Sequence, residues 1–146
     1  MSERNKERQA SQVFYAAAFI VLAAGALGAL VAGRTAHADE PELYSIAQAK
    51  LGAATYTDKC LKCHTAEGMA PVLKGDSFWP EWDGKPARAL YSRILSTMPA
   101  DDPGSIPEKD VINLVAYIME MNGLQGGTKD IQTPEELNKI LMQRGK

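Results

Sequence analysis

The sequence has few residues of the kinds that build closed metal sites or nucleic-acid surfaces. Its 146 residues include two cysteines and two histidines, whereas a structural zinc site normally takes four such ligands. Because His37 lies beside an apolar N-terminal segment, a zinc site in the rest of the chain would lack one ligand. Acidic residues outnumber basic ones by 18 to 16, which argues against nucleic-acid binding, since that function needs clustered positive charge.

The sequence also lacks strand patterns and internal repeats. No stretch alternates apolar and polar residues as a half-buried strand does, so a thioredoxin-like redox pair within a βαβ unit is not expected. Residues 65–85 contain five Gly and Pro residues and are predicted to form a loop. Helical periodicity predicts an all-α fold of about four helices, at residues 42–59, 86–98, 108–122 and 134–143.

One short segment carries a specific chemical signal. The run Cys60-Leu61-Lys62-Cys63-His64 has the pattern C-x-x-C-H, which is typical of covalent c-type haem attachment. Each thiol can add to one vinyl group of the haem, and His64 can then bind the iron as proximal ligand. A plain disulfide between Cys60 and Cys63 would leave His64 unexplained. We therefore expect one covalently bound haem c, which would also give the long loop a core to pack against.

The N-terminus predicts export. Residues 1–12 are polar and partly basic, residues 13–33 are apolar and uncharged, and an A-x-A pattern ends at Ala38. The segment 1–38 is therefore expected to be a signal peptide cleaved after Ala38. Its apolar stretch of about 20 residues is also long enough to span a bilayer, so it could instead stay as an inner-membrane tether. In both cases the basic residues stay inside and the remaining chain is periplasmic.

Two segments are expected after the export signal. Residues 39–123 are predicted to form one small domain, and residues 124–146 an extension with a short helix that is packed or faces a partner. The first 38 residues carry four basic and two acidic residues, so the exported part has 12 basic and 16 acidic residues, a net charge of −4. This charge permits docking to a partner with a basic face.

The second axial ligand of the iron is expected to be a methionine. After cleavage at Ala38, His64 is the single histidine left, and a thioether ligand is usual in electron-transfer cytochromes, where it raises the reduction potential. Met98 is favoured because it ends a predicted helix before Pro99, far enough from His64 for the chain to pass around the haem. Met69 is too close to His64 in sequence. The remaining candidates, Met119, Met121 and Met142, are predicted to pack within helices.

These features together resemble a class I c-type cytochrome between residues 51 and 123. Gly52, Tyr56 and Cys60 follow one another at four-residue steps, as in the first helix of that family. The run Asn-Leu-Val-Ala-Tyr-Ile at residues 113–118 resembles its last helix. The resemblance implies that Gly52 lets the two helices cross closely and that Tyr117 supplies an aromatic contact.

The resemblance also implies a second residue beside the proximal ligand. The run Ala-Pro-Val-Leu at residues 70–73 is similar to the family loop in which a proline carbonyl accepts a hydrogen bond from the histidine. Pro71 would then orient His64 and raise its basicity. An indole N–H of Trp79 or Trp82 could donate to a haem propionate, or both rings could pack against the haem edge.

The function that this resemblance implies is electron transfer, not catalysis. The protein would take single electrons from a periplasmic dehydrogenase and pass them to a terminal oxidase or another cytochrome. The segments that contain the tryptophans and Met98 are similar to cytochrome subunits of quinoprotein alcohol dehydrogenases, and to haem subunits of sulfite- and thiosulfate-oxidising complexes. Two alternatives stay open: a haem enzyme or gas-binding protein with an open iron site, and a haem subunit fixed in an oxidoreductase complex.

Overall fold

The structure, a computed structural model, describes residues 41–145 and contains four helices in this range. They are α1 (Ile46–Lys59), α2 (Trp79–Trp82), α3 (Ala87–Thr97) and α4 (Glu108–Met121). This part of the chain forms no strand beyond two isolated backbone bridges, so the predicted all-α fold is confirmed. None of its helices is long and apolar enough to cross a membrane. The predicted signal peptide or anchor, residues 1–38, lies outside the described residues.

The crossing of α1 and α4 is the main helix contact. A Cβ atom added at Gly52 would lie 1.9 Å from the carbonyl oxygen of Asn113, so the two backbones touch at a position that only glycine fits. One turn later, the rings of Tyr56 and Tyr117 pack edge to face with their centroids 5.4 Å apart. The close helix crossing and the aromatic contact are present as predicted. They fix α1, and with it the segment that follows, against the apolar face of α4.

Three of the predicted helices lie close to their expected positions. Helix α1 begins four residues later than predicted, because Ser45 caps it by accepting a hydrogen bond from the Gln48 amide at 3.0 Å. Helix α3 ends before Met98, as expected for a residue that precedes proline. Helix α4 ends at Met121, and Gly123 follows with a φ of +80°, the left-handed conformation that commonly terminates helices.

The prediction that residues 65–85 form only a loop is wrong in part. This segment contains a 3₁₀ turn at Gly75–Ser77 and the short helix α2. Phe78, Trp79 and Trp82 are all buried, and the Phe78 ring packs against both indoles. Burial of these three rings stabilises one helical turn, and Pro80 is tolerated there because it lies in the first turn.

The predicted helix at residues 134–143 is also wrong. A single 3₁₀ turn, Glu136–Lys139, forms instead. Beyond it the chain is extended and pairs with the segment before α3, where the Ala87 amide donates to the Ile140 carbonyl at 2.8 Å and the Met142 amide to the Lys85 carbonyl at 2.9 Å. This pairing buries Ile140 and Met142. Such burial outweighs the weak helical preference of a ten-residue segment.

The C-terminal extension, residues 124–145, is packed onto the domain. Near its start, the Ile46 amide donates to the Gly127 carbonyl at 3.0 Å. The buried Gln48 side chain then bonds both backbone groups of Ile131, each at 2.8 Å. Near its end, the Arg144 amide donates to the Asp83 carboxylate at 2.9 Å. The extension therefore connects the start of α1 with the segment before α3.

Candidate functional site

The C-x-x-C-H segment directly follows α1. Cys60 caps the helix, with its amide donating to the Tyr56 carbonyl at 2.9 Å. The next turn closes on the same residue, because the amides of Cys63 and His64 both donate to the Cys60 carbonyl, at 3.1 and 3.0 Å. The prediction that the motif ends the first helix is confirmed. This compact turn holds the two thiols and the imidazole close together.

A cavity of about 530 Å³ opens beside the motif, within the usual size range of cofactor sites. Both cysteines, His64 and Met98 line it, so four of the five predicted site residues meet in one place. The remaining lining residues are Lys59, Lys62, Met69, Ala70, Leu73, Ile94, Pro99, Ala100, Asp101 and Ile118. The wall is largely apolar, apart from the charged groups at Lys59, Lys62 and Asp101. Protein interiors leave few voids of this size, so the shape suits a bulky apolar group.

The fifth predicted residue, Pro71, forms a hydrogen bond with the His64 imidazole. The His64 Nδ1 atom lies 2.7 Å from the Pro71 carbonyl oxygen. That oxygen can only accept, so the nitrogen donates and the ring carries its proton on Nδ1. In the neutral ring the Nε2 atom then keeps a free lone pair, and this is the form that binds metals. The donor set therefore fits a c-type haem: two thiols on the cavity wall, one imidazole with a free nitrogen, and one thioether.

The methionines divide into two groups. Met119 and Met142 are fully buried, and Met121 is partly buried against the same core. Met69 and Met98 line the cavity, but they differ in exposure, because Met69 is 97% exposed while Met98 packs against the core. Among the methionines between residues 41 and 145, Met98 is thus the one that both packs against the core and lines the cavity. Its role as axial ligand stays a prediction.

The environment of Cys60 disfavours a redox dithiol. Burial, with a smaller contribution from Cys63, raises the pKa of the Cys60 thiol to about 11. Its thiol is therefore protonated near neutral pH, whereas dithiols that exchange disulfides usually have a lowered pKa. The two sulfurs are not joined in a disulfide. In residues 41–145, no group of three or more Cys, His, Asp or Glu side chains could hold a metal ion.

An ion pair crosses the mouth of the cavity. Lys62, inside the motif, donates to the Asp101 carboxylate at 2.7 Å. This hydrogen bond holds the pKa of the Asp101 carboxyl below its usual value. Both side chains are more than half exposed, so the pair adds little to stability. It does link the motif to the loop that follows Met98, and sequence reasoning did not identify it.

The tryptophans do not contribute to the cavity wall. Trp79 and Trp82 are buried around Phe78, and neither lines the cavity. Arg88 packs over the ring of Tyr91, with 4.8 Å between its guanidinium carbon and the ring centroid. The two indoles therefore pack with Phe78 and not along the cavity wall. A contact of either indole with the haem stays a prediction.

Residues 47–118 match the family described as cytochrome C oxidase, cbb3-type, subunit III. The match covers just under half of the chain and contains all five predicted site residues. It supports a c-type cytochrome, a haem-binding electron-transfer protein with covalently bound haem c, and agrees with the helical fold. The finer resemblance to dehydrogenase or sulfur-oxidising cytochromes stays a prediction. Comparison with curated proteins gives no match, and comparison with solved structures gives none either.

Proposed function

We propose that this protein is a periplasmic monohaem cytochrome c that carries single electrons from a dehydrogenase toward a terminal oxidase or another cytochrome. The observation that carries the proposal is the meeting of both motif thiols, His64 and Met98 at one largely apolar cavity. When bound there, haem would supply reversible one-electron chemistry at its iron. The two thiols would then bind the haem covalently, and the imidazole and the thioether would bind its iron.

The chain's residues would hold the cofactor and limit access to it. Cys60 and Cys63 would fix it covalently, so it is not lost in the periplasm. Pro71 holds the His64 proton on Nδ1, which leaves Nε2 to bind the iron, and Met98 would supply its thioether sulfur as the second ligand. The apolar wall, including Leu73 and three further residues, Ile94, Met98 and Ile118, excludes water and disfavours extra charge on the iron.

A fixed haem subunit of an oxidoreductase complex is the second candidate. It is favoured by the family match, whose description names a subunit of an oxidase. The packed C-terminal extension is compatible with both candidates, because it lies outside the matched residues and adds no group to the cavity. An uncleaved segment 13–33 would favour a tethered subunit, and cleavage after Ala38 would favour a freely diffusing carrier.

The spectrum of the haem-loaded protein tests the proposal. Expressed with cytochrome c maturation factors, the protein should be low-spin in both oxidation states, and the reduced form should not respond to carbon monoxide, because His64 and Met98 would both bind the iron. The titration should follow a single one-electron step. A high-spin spectrum that shifts with carbon monoxide would instead show an open iron, and the enzyme or gas-binding alternative would replace the proposal.

A further inference from the structure

The end of α4 carries a side chain that joins two walls of the cavity. The Asn122 Nδ2 atom donates to the Leu73 carbonyl at 3.0 Å and to the Ile118 carbonyl at 2.8 Å. Its Oδ1 atom accepts from the Gly75 amide at 2.9 Å. Leu73 and Ile118 both line the cavity. The Asn122 side-chain amide thus connects the loop at residues 70–75 to the end of helix α4.

Asn122 replaces a hydrogen bond that the helix end leaves unmade. The Asn122 backbone amide donates to Met119 and not to Ile118, so α4 closes in a tighter last turn. The Ile118 carbonyl therefore needs another donor, and the Asn122 side chain supplies it. The same side chain also bonds the Leu73 carbonyl and the Gly75 amide in the loop that follows Pro71. Leaving the Ile118 carbonyl without a donor in a partly buried position would be unfavourable, so the hydrogen bond from Asn122 stabilises this helix end.

Pro71 lies between two anchor points of its loop. Before it, the Ala70 amide donates to the Cys63 carbonyl at 3.2 Å, which ties the loop to the motif. After it, Leu73 and Gly75 are held by Asn122. Within the described chain, the other hydrogen bond from residues 71–74 to a distant group is the one between Pro71 and His64. The position of the Pro71 carbonyl therefore depends on both anchors.

We propose that Asn122 is a positioning residue for the proximal ligand, since it fixes the loop that aims the Pro71 carbonyl at His64. The inference rests on the proposed function and deepens it, by naming a residue that tunes the iron's reduction potential from outside the cavity. A firm hydrogen bond makes the imidazole a more basic ligand, which favours the oxidised iron. Loosening the loop weakens that bond and raises the reduction potential.

Hydrogen exchange and potentiometry on the haem-loaded protein test this role. In Asn122→Leu, which removes all three hydrogen bonds, exchange of the His64 Nδ1 proton measured by NMR should accelerate about tenfold, the factor that loss of roughly one hydrogen bond produces. The reduction potential should rise. Asn122→Asp keeps the acceptor for Gly75 but loses both donors, and should give an intermediate exchange rate. Its new negative charge lowers the potential by itself, so this variant is judged on the exchange rate alone. This milder variant gives the test if the leucine variant does not fold.

A matched variant separates positioning from stability. Gln48→Met removes two buried hydrogen bonds to Ile131, far in sequence from the motif, and should lower the melting temperature without changing His64 exchange or the potential. If the Asn122 variants also lose stability while His64 exchange in both and the potential of Asn122→Leu stay at wild-type values, Asn122 is only a helix cap and the inference is overturned. Failure of the proposed function would look different, because the wild-type protein would then carry no covalent haem.

Discussion

Replacing Met98 with alanine is expected to lower the reduction potential by ~0.1–0.3 V, part of the roughly 0.8 V range that axial ligands cover in haem proteins. The thioether favours reduced iron, so its loss makes reduction less favourable. The vacated position should also let the reduced protein bind carbon monoxide. The cavity has no second histidine on its wall to take the place of Met98. Potentiometric titration and the carbon monoxide difference spectrum measure the two effects.

Met69→Ala is the matched control for this prediction. Met69 also lines the cavity, but it is almost fully exposed and lies five residues after His64. Its loss should leave the potential and the carbon monoxide response close to those of the wild type. If Met69→Ala reproduces the expected effects and Met98→Ala does not, the assignment of the second axial ligand to Met98 is wrong.

Gly52→Ala should destabilise the folded protein by about 3 kcal/mol or more. Alanine is the better helix former by roughly 1 kcal/mol, so helix propensity alone predicts the opposite sign. The added methyl group, however, would lie 1.9 Å from the Asn113 carbonyl oxygen, and its neighbour there is backbone. To relieve this clash, α1 and α4 must separate along their main contact. The free-energy cost of that separation is expected to exceed the usual cost of overpacking a core. Urea unfolding followed by circular dichroism measures the change.

A substitution elsewhere in α1 provides the comparison. Ala54→Ser adds one atom at an exposed position of the same helix, and should change the free energy of unfolding by less than about 0.5 kcal/mol. A Gly52→Ala protein as stable as the wild type would show that the two helices do not cross as closely as described. The position of the motif against α4 would then need a different explanation.

The sequence predicted correctly those parts of the fold that local signals determine. Apolar periodicity predicted α3 and α4, and the proline after Met98 marked a helix end. Cys60, Cys63 and His64 came from one short motif, Met98 from its place at a helix end before Pro99, and Pro71 from the family resemblance. The structure places four of them on the cavity wall and the fifth, Pro71, in contact with His64.

The errors lie where tertiary packing decides the local structure. The segment after Thr133 has helical spacing, and Thr133 and Glu136 are placed like the two residues of a helix capping box. The Glu136 carboxylate nevertheless accepts from the Gln132 amide at 3.4 Å and not from the Thr133 amide. Backbone pairing of residues 140–142 with the segment before α3 cannot be seen in a periodic pattern. Asn122 is a similar case, because an asparagine after a helix has no signal that reveals its partners in a distant loop.

The intact mass of the purified protein under denaturing conditions tests the central claim, one covalently bound haem, most directly. Expressed with cytochrome c maturation factors, the protein should have the mass of its polypeptide, either residues 39–146 or the uncleaved chain, plus one haem, because two thioether bonds survive unfolding. The Cys60→Ala/Cys63→Ala variant should have the mass of the chain alone. A wild-type mass without haem, from protein that folds and is exported, would contradict the account.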